Sequence, residues 1–383
     1  MVARILFVSH FGLLGGAERS LIDLLCALDR SLYAAHVVVP CTELSEELAA
    51  RRISFEVCPG LRVLGRSLSP LRQTAQAMHL FAGARELRMA IRRYAPAIVH
   101  ANSTTAALYA SCRLHRKTPV VWHLRDLVLP RLVGRFLSKR CARIIAPSRC
   151  CADLAASMGD PDKVVMVPNG IRVARPTGSP RAGRAERTLV AMIGQTTPWK
   201  GHMVAIEAAR RVLAQRANVE FLIVADDRRG GSTTVEELRR AVDAFGLGAA
   251  VEVSGPVADA RLVLERSDLL VHPAFPEPAG RVVLEAMAAG CPVVAFNGSH
   301  GPAEVIRSGI DGLLVAPRTP EALARAILAL VDDPMLRGRM GEAGRERAAR
   351  EFDRDLTARR IQGIYASILD RQEWSRMPRG DAA

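Results

Sequence analysis

The chain has 383 residues, 49% hydrophobic and 24% charged, which is material for two globular cores of ordinary size. No apolar run approaches the ~20 residues that span a bilayer, and the opening MVARILFVSH is too short in apolar residues for a secretory leader, so a cytoplasmic protein is expected. The net charge of +14 suggests an anionic partner, yet aromatic residues are only 4% and no nucleic-acid motif is present, which argues against nucleic acid.

Short apolar runs alternate with helical stretches from the start, the pattern of α/β domains built on parallel sheets. The first run, 4–9, leads into HFGLLGGAERSLIDLL and a helix over 17–28. Gly12, Gly15 and Gly16 permit backbone angles that other residues avoid and let main-chain N–H groups approach a phosphate or sugar closely. The loop lacks both G-x-G-x-x-G and a P-loop lysine, which argues against dinucleotide and ATP binding. Further strands are expected at 36–39, 55–58, 97–100, 120–123, 143–146 and 164–167, with helices including 103–115 and 149–158.

Several side chains in this half sit where strands end, the position that carries function in open α/β sheets. His123 closes the strand VVWH, although a lone histidine serves structure as readily as function. Arg125 and Asp126 either line the same space or pair with each other, and Asn102 and Ser103 are candidate acceptor contacts or plain loop residues.

Basic charge concentrates here. Residues 1–180 hold 25 Lys and Arg against 12 Asp and Glu, whereas 181–383 hold 28 against 27. Residues 61–95 contain seven Arg and one Glu among apolar residues, and RLVGRFLSKRCAR (131–143) is similar. Such segments read either as helices lying on an anionic membrane or as solvated faces of core helices. The eight cysteines form no C-x-x-C pair and are read as reduced thiols.

The stretch RVARPTGSPRAGRAER, rich in Pro, Gly and Arg, is the expected linker, so the first domain is placed at 1–172 and the linker at 173–187. The alternation then restarts, with strands at 188–194, 220–225, 251–255, 268–273, 292–296 and 312–316 and helices near 201–216, 233–245, 257–266, 281–289 and 320–331. A second domain over 188–352 follows. The helical tail breaks near Glu351-Phe352-Asp353, and its last helix, 353–375, is expected to pack back on the first domain.

The second half carries the densest chemistry. In HPAFPEPAGRVVLEAMAAGCPVV, Glu277 lies on a Pro-rich loop and Glu285 eight residues later, in the second turn of a helix that begins near Gly280. N–H groups of the first helical turn, Ala279 to Val282, form a ready site for a diphosphate, and a carboxylate deeper in the helix can accept bonds from both ribose hydroxyls. Lys200, after a strand and a Pro-containing loop, brings a flexible ammonium suited to phosphate oxygens. The pairs Asp226-Asp227 and Asp332-Asp333 sit at a strand end and before Pro334, where capping and turn roles are expected instead of a metal site.

These stretches resemble the retaining family-4 glycosyltransferases. The resemblance is carried by Glu277 and Glu285 running into Ala286-Met287-Ala288 and Gly290, and by Gly194 followed by Lys200-Gly201. It is carried further by Glu304, Gly309, Gly312 and Leu314-Val315, and by the GGAER segment near the N-terminus. It implies a GT-B fold, two facing Rossmann-like domains with an interdomain cleft. It also implies that Glu285 binds the donor ribose, Glu277 the donor sugar and Lys200 the diphosphate. His123 would reach the hexose, and Gly15, Gly16 and Gly280 would offer main-chain contacts.

The family usually has an arginine shortly after the strand-end glycine. This chain has Gln195 there, and Arg281 either compensates or points to solvent. The activity implied is metal-independent, retaining transfer of a hexose from a UDP- or GDP-sugar, with no cofactor, to a glycan or lipid-linked acceptor in envelope or polysaccharide biosynthesis. A peripheral position at the inner membrane face goes with it. The alternatives are an epimerase or phosphorylase of the same fold, a catalytically inactive partner protein, and a basic nucleic-acid or membrane binder.

Overall fold

The structure is a computed structural model that describes residues 2–40, 43–62, 70–113, 118–173, 187–228 and 233–376. Most of the expected linker, the C-terminal MPRGDAA, part of the basic 61–95 stretch and Cys41 lie outside the described residues. The chain divides into two compact units, one formed by Met1–Gly170 with Arg354–Ala383 and the other by Ile171–Asp353.

In the first unit, β1 (Ala3–Val8), α1 (Gly16–Ala27), β2 (Tyr33–Val39), α2 (Glu43–Ala50), β3 (Phe55–Val57) and α3 (Pro70–Tyr94) come first. They are followed by β4 (Ile98–Ala101), α4 (Thr104–Arg113), β5 (Val120–His123), α5 (Arg131–Arg140), β6 (Arg143–Ala146), α6 (Arg149–Ala156) and β7 (Val164–Met166). The strands form one sheet in the order β3-β2-β1-β4-β5-β6-β7, with every pair parallel.

A parallel sheet is covered on both faces, so its strands read as continuous apolar runs, with successive residues serving opposite cores. Ile5 and Phe7 pack with α1 and α2, while Leu6 and Val8 pack with residues of α3 and α4.

The second unit contains β8 (Thr188–Gln195), α7 (His202–Leu213), β9 (Val219–Asp226), α8 (Val235–Ala244), β10 (Val251–Ser254), α9 (Ala260–Arg266) and β11 (Leu269–His272). It continues through α10 (Arg281–Ala288), β12 (Val293–Phe296), α11 (Gly301–Val305), β13 (Gly312–Val315), α12 (Pro320–Asp332) and α13 (Pro334–Glu351). Its sheet order is β10-β9-β8-β11-β12-β13, again all parallel.

Helix starts follow the sequence. Thr319 caps α12 and Asp333 caps α13, each with Pro at the first helical position. Asp332 instead bonds Arg216, Asp226 bonds Arg228, and Asp227 accepts from the Val235 N–H, so both aspartate pairs are engaged in local structure.

The second unit begins before the expected linker. Ile171 donates to the Phe352 carbonyl at 2.9 Å, and both side chains are buried in that unit's core. The last helix, α14 (Arg354–Arg376), belongs to the first unit, where Ala358, Ile361, Ile364, Tyr365 and Ile368 join the core under β1, β2 and α1. The seven described cysteines are free thiols, four of them buried.

Candidate active site

Both sheets reverse strand order once, between β1 and β4 and between β8 and β11. At such a reversal the loops leaving the two central strands diverge and open a crevice at the carboxyl ends. In the second unit those loops carry Lys200, after β8, and Glu277, after β11.

Lys200 ends a 3-10 turn, Pro198–Lys200, and the chain then turns through Gly201 at φ 76° into α7. A Cβ at Gly201 would stand 2.8 Å from the Pro273 carbonyl, so the β8 and β11 loops meet at a backbone contact that only glycine permits. The Phe275 N–H donates to the Trp199 carbonyl at 2.6 Å and ties the same two loops.

Through that contact the Lys200 ammonium bonds directly to Glu277 Oε2. Glu277 is buried, and burial alone would raise its pKa; the Lys200 charge and the neighbouring His272 imidazole outweigh this and hold the carboxyl well below the usual carboxylate range. Its other oxygen accepts the Gly280 N–H at 3.2 Å, and its backbone pairs with Ser299 and Gly301. Of the first-turn amides expected to face a diphosphate, the Gly280 N–H is thus committed to Glu277. Gly280, at φ 62°, caps α10, and a Cβ there would stand 2.8 Å from Pro302.

One turn into α10, Glu285 is 8% exposed and accepts from Arg281 Nε at 2.8 Å. Arg281 does not point to solvent, because its side chain is 11% exposed and lies against the next turn of its own helix. Gln195 ends β8 and pairs with Asp226 in the ladder. Lys200, Glu277, Gly280, Arg281 and Glu285 are therefore linked by successive bonds around the start of α10.

The sequence reading missed His202 and His272, both buried near this pair. Burial, then the Lys200 charge, pushes His202 down to about 4, and burial lowers His272. His272 Nε2 lies 3.7 Å from Glu277 Oε2. The Thr196, Thr197 and Ser299 hydroxyls around these loops, like the Nε2 atoms of His202 and His272, are buried without a hydrogen-bond partner.

In the first unit, Gly15 precedes α1 in an extended conformation (φ −110°, ψ −171°). A helix cap needs extended backbone. The Gly15 N–H donates to the buried Glu18 carboxylate at 3.1 Å, and the Gly16 carbonyl accepts from Ser20.

His123 ends β5, is 4% exposed, and is held far below the usual histidine value by burial, then by Arg125 and His100. Arg125 and Asp126 do not pair with each other. The guanidinium spans Asn102 and Asn169 at 2.9 Å each, while Asp126 accepts from Thr104 at 2.6 Å. Asn102 is buried between Arg125 and the Ala17 carbonyl, and the Ser103 hydroxyl bonds His10 and accepts the Ala106 N–H at the start of α4. His100, one strand away, was missed, though it lies close to a strand end as His123 does.

The chain is similar to known proteins in both sequence and fold. Residues 180–347 match the family model "Glycosyl transferases group 1", and residues 14–175 match "Glycosyltransferase Family 4". The exopolysaccharide phosphotransferase of Streptomyces coelicolor is 32% identical over 217 residues, 55% of this chain and 21% of that protein. A D-inositol 3-phosphate glycosyltransferase of Acidothermus cellulolyticus is 33% identical over 223 residues, 55% of this chain and 49% of that protein. The matches thus span about half or less of these relatives' lengths.

The crystal structure of Anabaena HepE in complex with UDP and glucose has a TM-score of 0.78 at 24% identity, covering 95% of this chain and 100% of that one, which establishes a shared fold. The two parallel-sheet units are those of the GT-B fold. The chain belongs to the family-4, group 1 glycosyltransferases.

Proposed function

We propose that the protein is a retaining glycosyltransferase that moves a hexose from a UDP- or GDP-sugar to a glycan or lipid-linked acceptor. The observation that carries this is the buried Lys200–Glu277 pair at the β8/β11 reversal, with Glu285 one turn along α10.

The chemistry follows from charge. As the sugar–phosphate bond lengthens, the leaving diphosphate gains negative charge and the sugar gains oxocarbenium character. Lys200 and the N-terminal amides of α10 supply positive potential to the phosphates. Glu277 accepts bonds from sugar hydroxyls, and Glu285 accepts from the ribose. Donor phosphates compete for Lys200 while sugar hydroxyls replace it on Glu277, so the ion pair serves as a placeholder. The unpartnered hydroxyls of Thr196, Thr197 and Ser299 support a polar ligand here, since each costs roughly 1–3 kcal/mol until it is satisfied. With Glu277 engaged by sugar hydroxyls once the donor is bound, front-face attack guided by the leaving phosphate is the mechanism we favour over a covalent intermediate on that carboxylate. HepE was crystallised with UDP-glucose as well, which favours a UDP-sugar among the donors.

The acceptor reading rests on the first unit. On α3 the residues Met78, Phe81, Arg85, Met89 and Arg92 form one exposed stripe mixing apolar and basic side chains. Such a stripe fits an anionic membrane holding a lipid-linked acceptor. No described helix is long and apolar enough to cross one.

The test is nucleoside diphosphate release and product analysis with a panel of UDP- and GDP-sugars. Glu277→Gln and Glu285→Gln are expected to lower kcat/KM about 100-fold or more with unchanged circular dichroism, and the product linkage should keep the donor's anomeric configuration. Wild-type rates in both variants, or no transfer from any donor, would overturn the proposal. Binding to phosphatidylglycerol vesicles, weakened by salt and absent with phosphatidylcholine, is the outcome expected of the α3 stripe.

A further inference from the structure

The buried polar cluster where β4 and β5 end contains a hydrogen-bond path of fixed direction. The Tyr365 hydroxyl, from α14, lies 2.6 Å from His100 Nδ1. His100 Nε2 lies 3.3 Å from His123 Nδ1, and a terminal nitrogen of Arg125 lies 3.4 Å from that same atom. Tyr365 and His100 are fully buried and His123 almost so, which leaves no solvent to accommodate a misplaced proton.

A guanidinium can only donate. A protonated Nδ1 on His123 would set two N–H groups against each other, so that nitrogen carries its lone pair. One lone pair shared by two donors gives two long bonds, as observed at 3.3 and 3.4 Å. His100 must then be protonated at Nε2, and its bare Nδ1 accepts the Tyr365 O–H. Both rings are held neutral, His100 down to about 3, by burial and then by the Arg125 charge. One atom is left over. His123 Nε2, which then bears the proton, is buried with no hydrogen-bond partner.

We propose that Tyr365, His100 and Arg125 are positioning residues that form a one-way relay holding His123 as its Nε2–H tautomer, a donor presented to a sugar hydroxyl oxygen. Arg125 is itself fixed by Asn102 and Asn169, so the direction is set by a group that cannot reverse. The identity of the ligand rests on the glycosyl-transfer reading, whereas the relay rests on the geometry of the first unit.

The test is nitrogen NMR of the whole protein labelled at histidine ring nitrogens, with His123 assigned by its loss in His123→Gln. The wild-type protein should show His123 protonated at Nε2 and bare at Nδ1 between pH 6 and 8. Arg125→Lys, which keeps a donor, should preserve that state, and Arg125→Met should release it to a mixture. Tyr365→Phe should let His100 populate both neutral tautomers and lower kcat/KM roughly fivefold, the loss of one buried hydrogen bond.

UDP-glucose or GDP-mannose should move the His123 Nε2 signal, and UDP or GDP should not. A wild-type His123 protonated at Nδ1, or at both nitrogens, overturns the relay without any variant having to fold. The expected tautomer together with a His123→Gln protein that transfers sugar at the wild-type rate overturns the sugar contact. If no nucleotide sugar is turned over while the tautomers are as stated, glycosyl transfer fails as the reading and the relay stands.

Discussion

Truncating Lys200 would leave Glu277 as an uncompensated buried carboxylate, and such losses cost roughly 3–5 kcal/mol. Lys200→Ala is therefore expected to lower stability as well as activity, and adding Glu277→Gln should recover much of the stability but none of the turnover. Urea midpoints of the two single variants and the double variant check this, since strictly additive changes would mean the two groups are not coupled. The types and spacing of these residues were legible as Glu277, Glu285 and Lys200-Gly201 in the chain. Their pairing was not. Lys200 and Glu277 are 77 residues apart, and nothing local tells a lysine that its partner will be a carboxylate on a different loop. The sequence names Arg281 with two alternatives open, and its i,i+4 bond to Glu285 within α10 excludes the solvent-facing one.

Among the elements, the loop–helix junctions at Gly201 and Gly280 position the site, and both glycines have positive φ with a Cβ-sized neighbour in the way. Gly201→Ala should destabilise the second unit by about 1–2 kcal/mol or more, because strain and a backbone clash act together. It should also raise the KM for the donor by pushing the Lys200 turn away from Pro273. A thermal melt and a donor titration measure the two effects, and an unchanged KM would show that the β8 and β11 loops are not coupled through this contact. By contrast, Thr234→Ala, which removes the capping box of α8, should cost about 1 kcal/mol and leave the KM alone. Strands and caps were readable because their signals are local: a doubly covered strand is apolar along its whole length, and Thr319-Pro320 and Asp333-Pro334 announce helix starts. In the Gly12–Gly16 loop, glycine permits a left-handed backbone without requiring one, and the chain uses Gly15 in an extended conformation.

At the scale of the whole molecule, each unit holds, among the described residues, two buried histidines with lowered pKa values: His100 and His123 in the first, His202 and His272 in the second. A folded value below the unfolded 6.5 means the unfolded chain binds the proton more readily. The stabilising contribution is present above 6.5 and is lost as pH falls, towards about 4 for His202 and about 3 for His100. Each contributes a slope of up to about 1.4 kcal/mol per pH unit in that window. Chemical denaturation at pH 7.5, 6.5, 5.5 and 4.5 should therefore show a falling midpoint below 6.5, made shallower by His202→Gln. A midpoint independent of pH would contradict the neutral state of these rings. Ending the chain at Asp353 would remove α14 and expose the core beneath it. The loss of Ile361, Ile364, Tyr365 and Ile368, at roughly 1.5–3 kcal/mol each, approaches the whole stability of an ordinary domain. Such a truncated protein should fail to give a folded first unit by circular dichroism.

The sequence alone determined the number of units and the parallel character of both sheets, and it singled out Glu277, Glu285 and Lys200 as site candidates. Apolar periodicity, caps and short motifs are properties of neighbours along the chain, so they survive without coordinates. Only the tertiary structure decided which charges meet, that α14 supplies Tyr365 to a histidine at the other end of the chain, and which amides remain for a ligand. Those choices turn on burial and distance between segments far apart in sequence, where removal from water makes each unpaired charge or donor costly enough to select one arrangement.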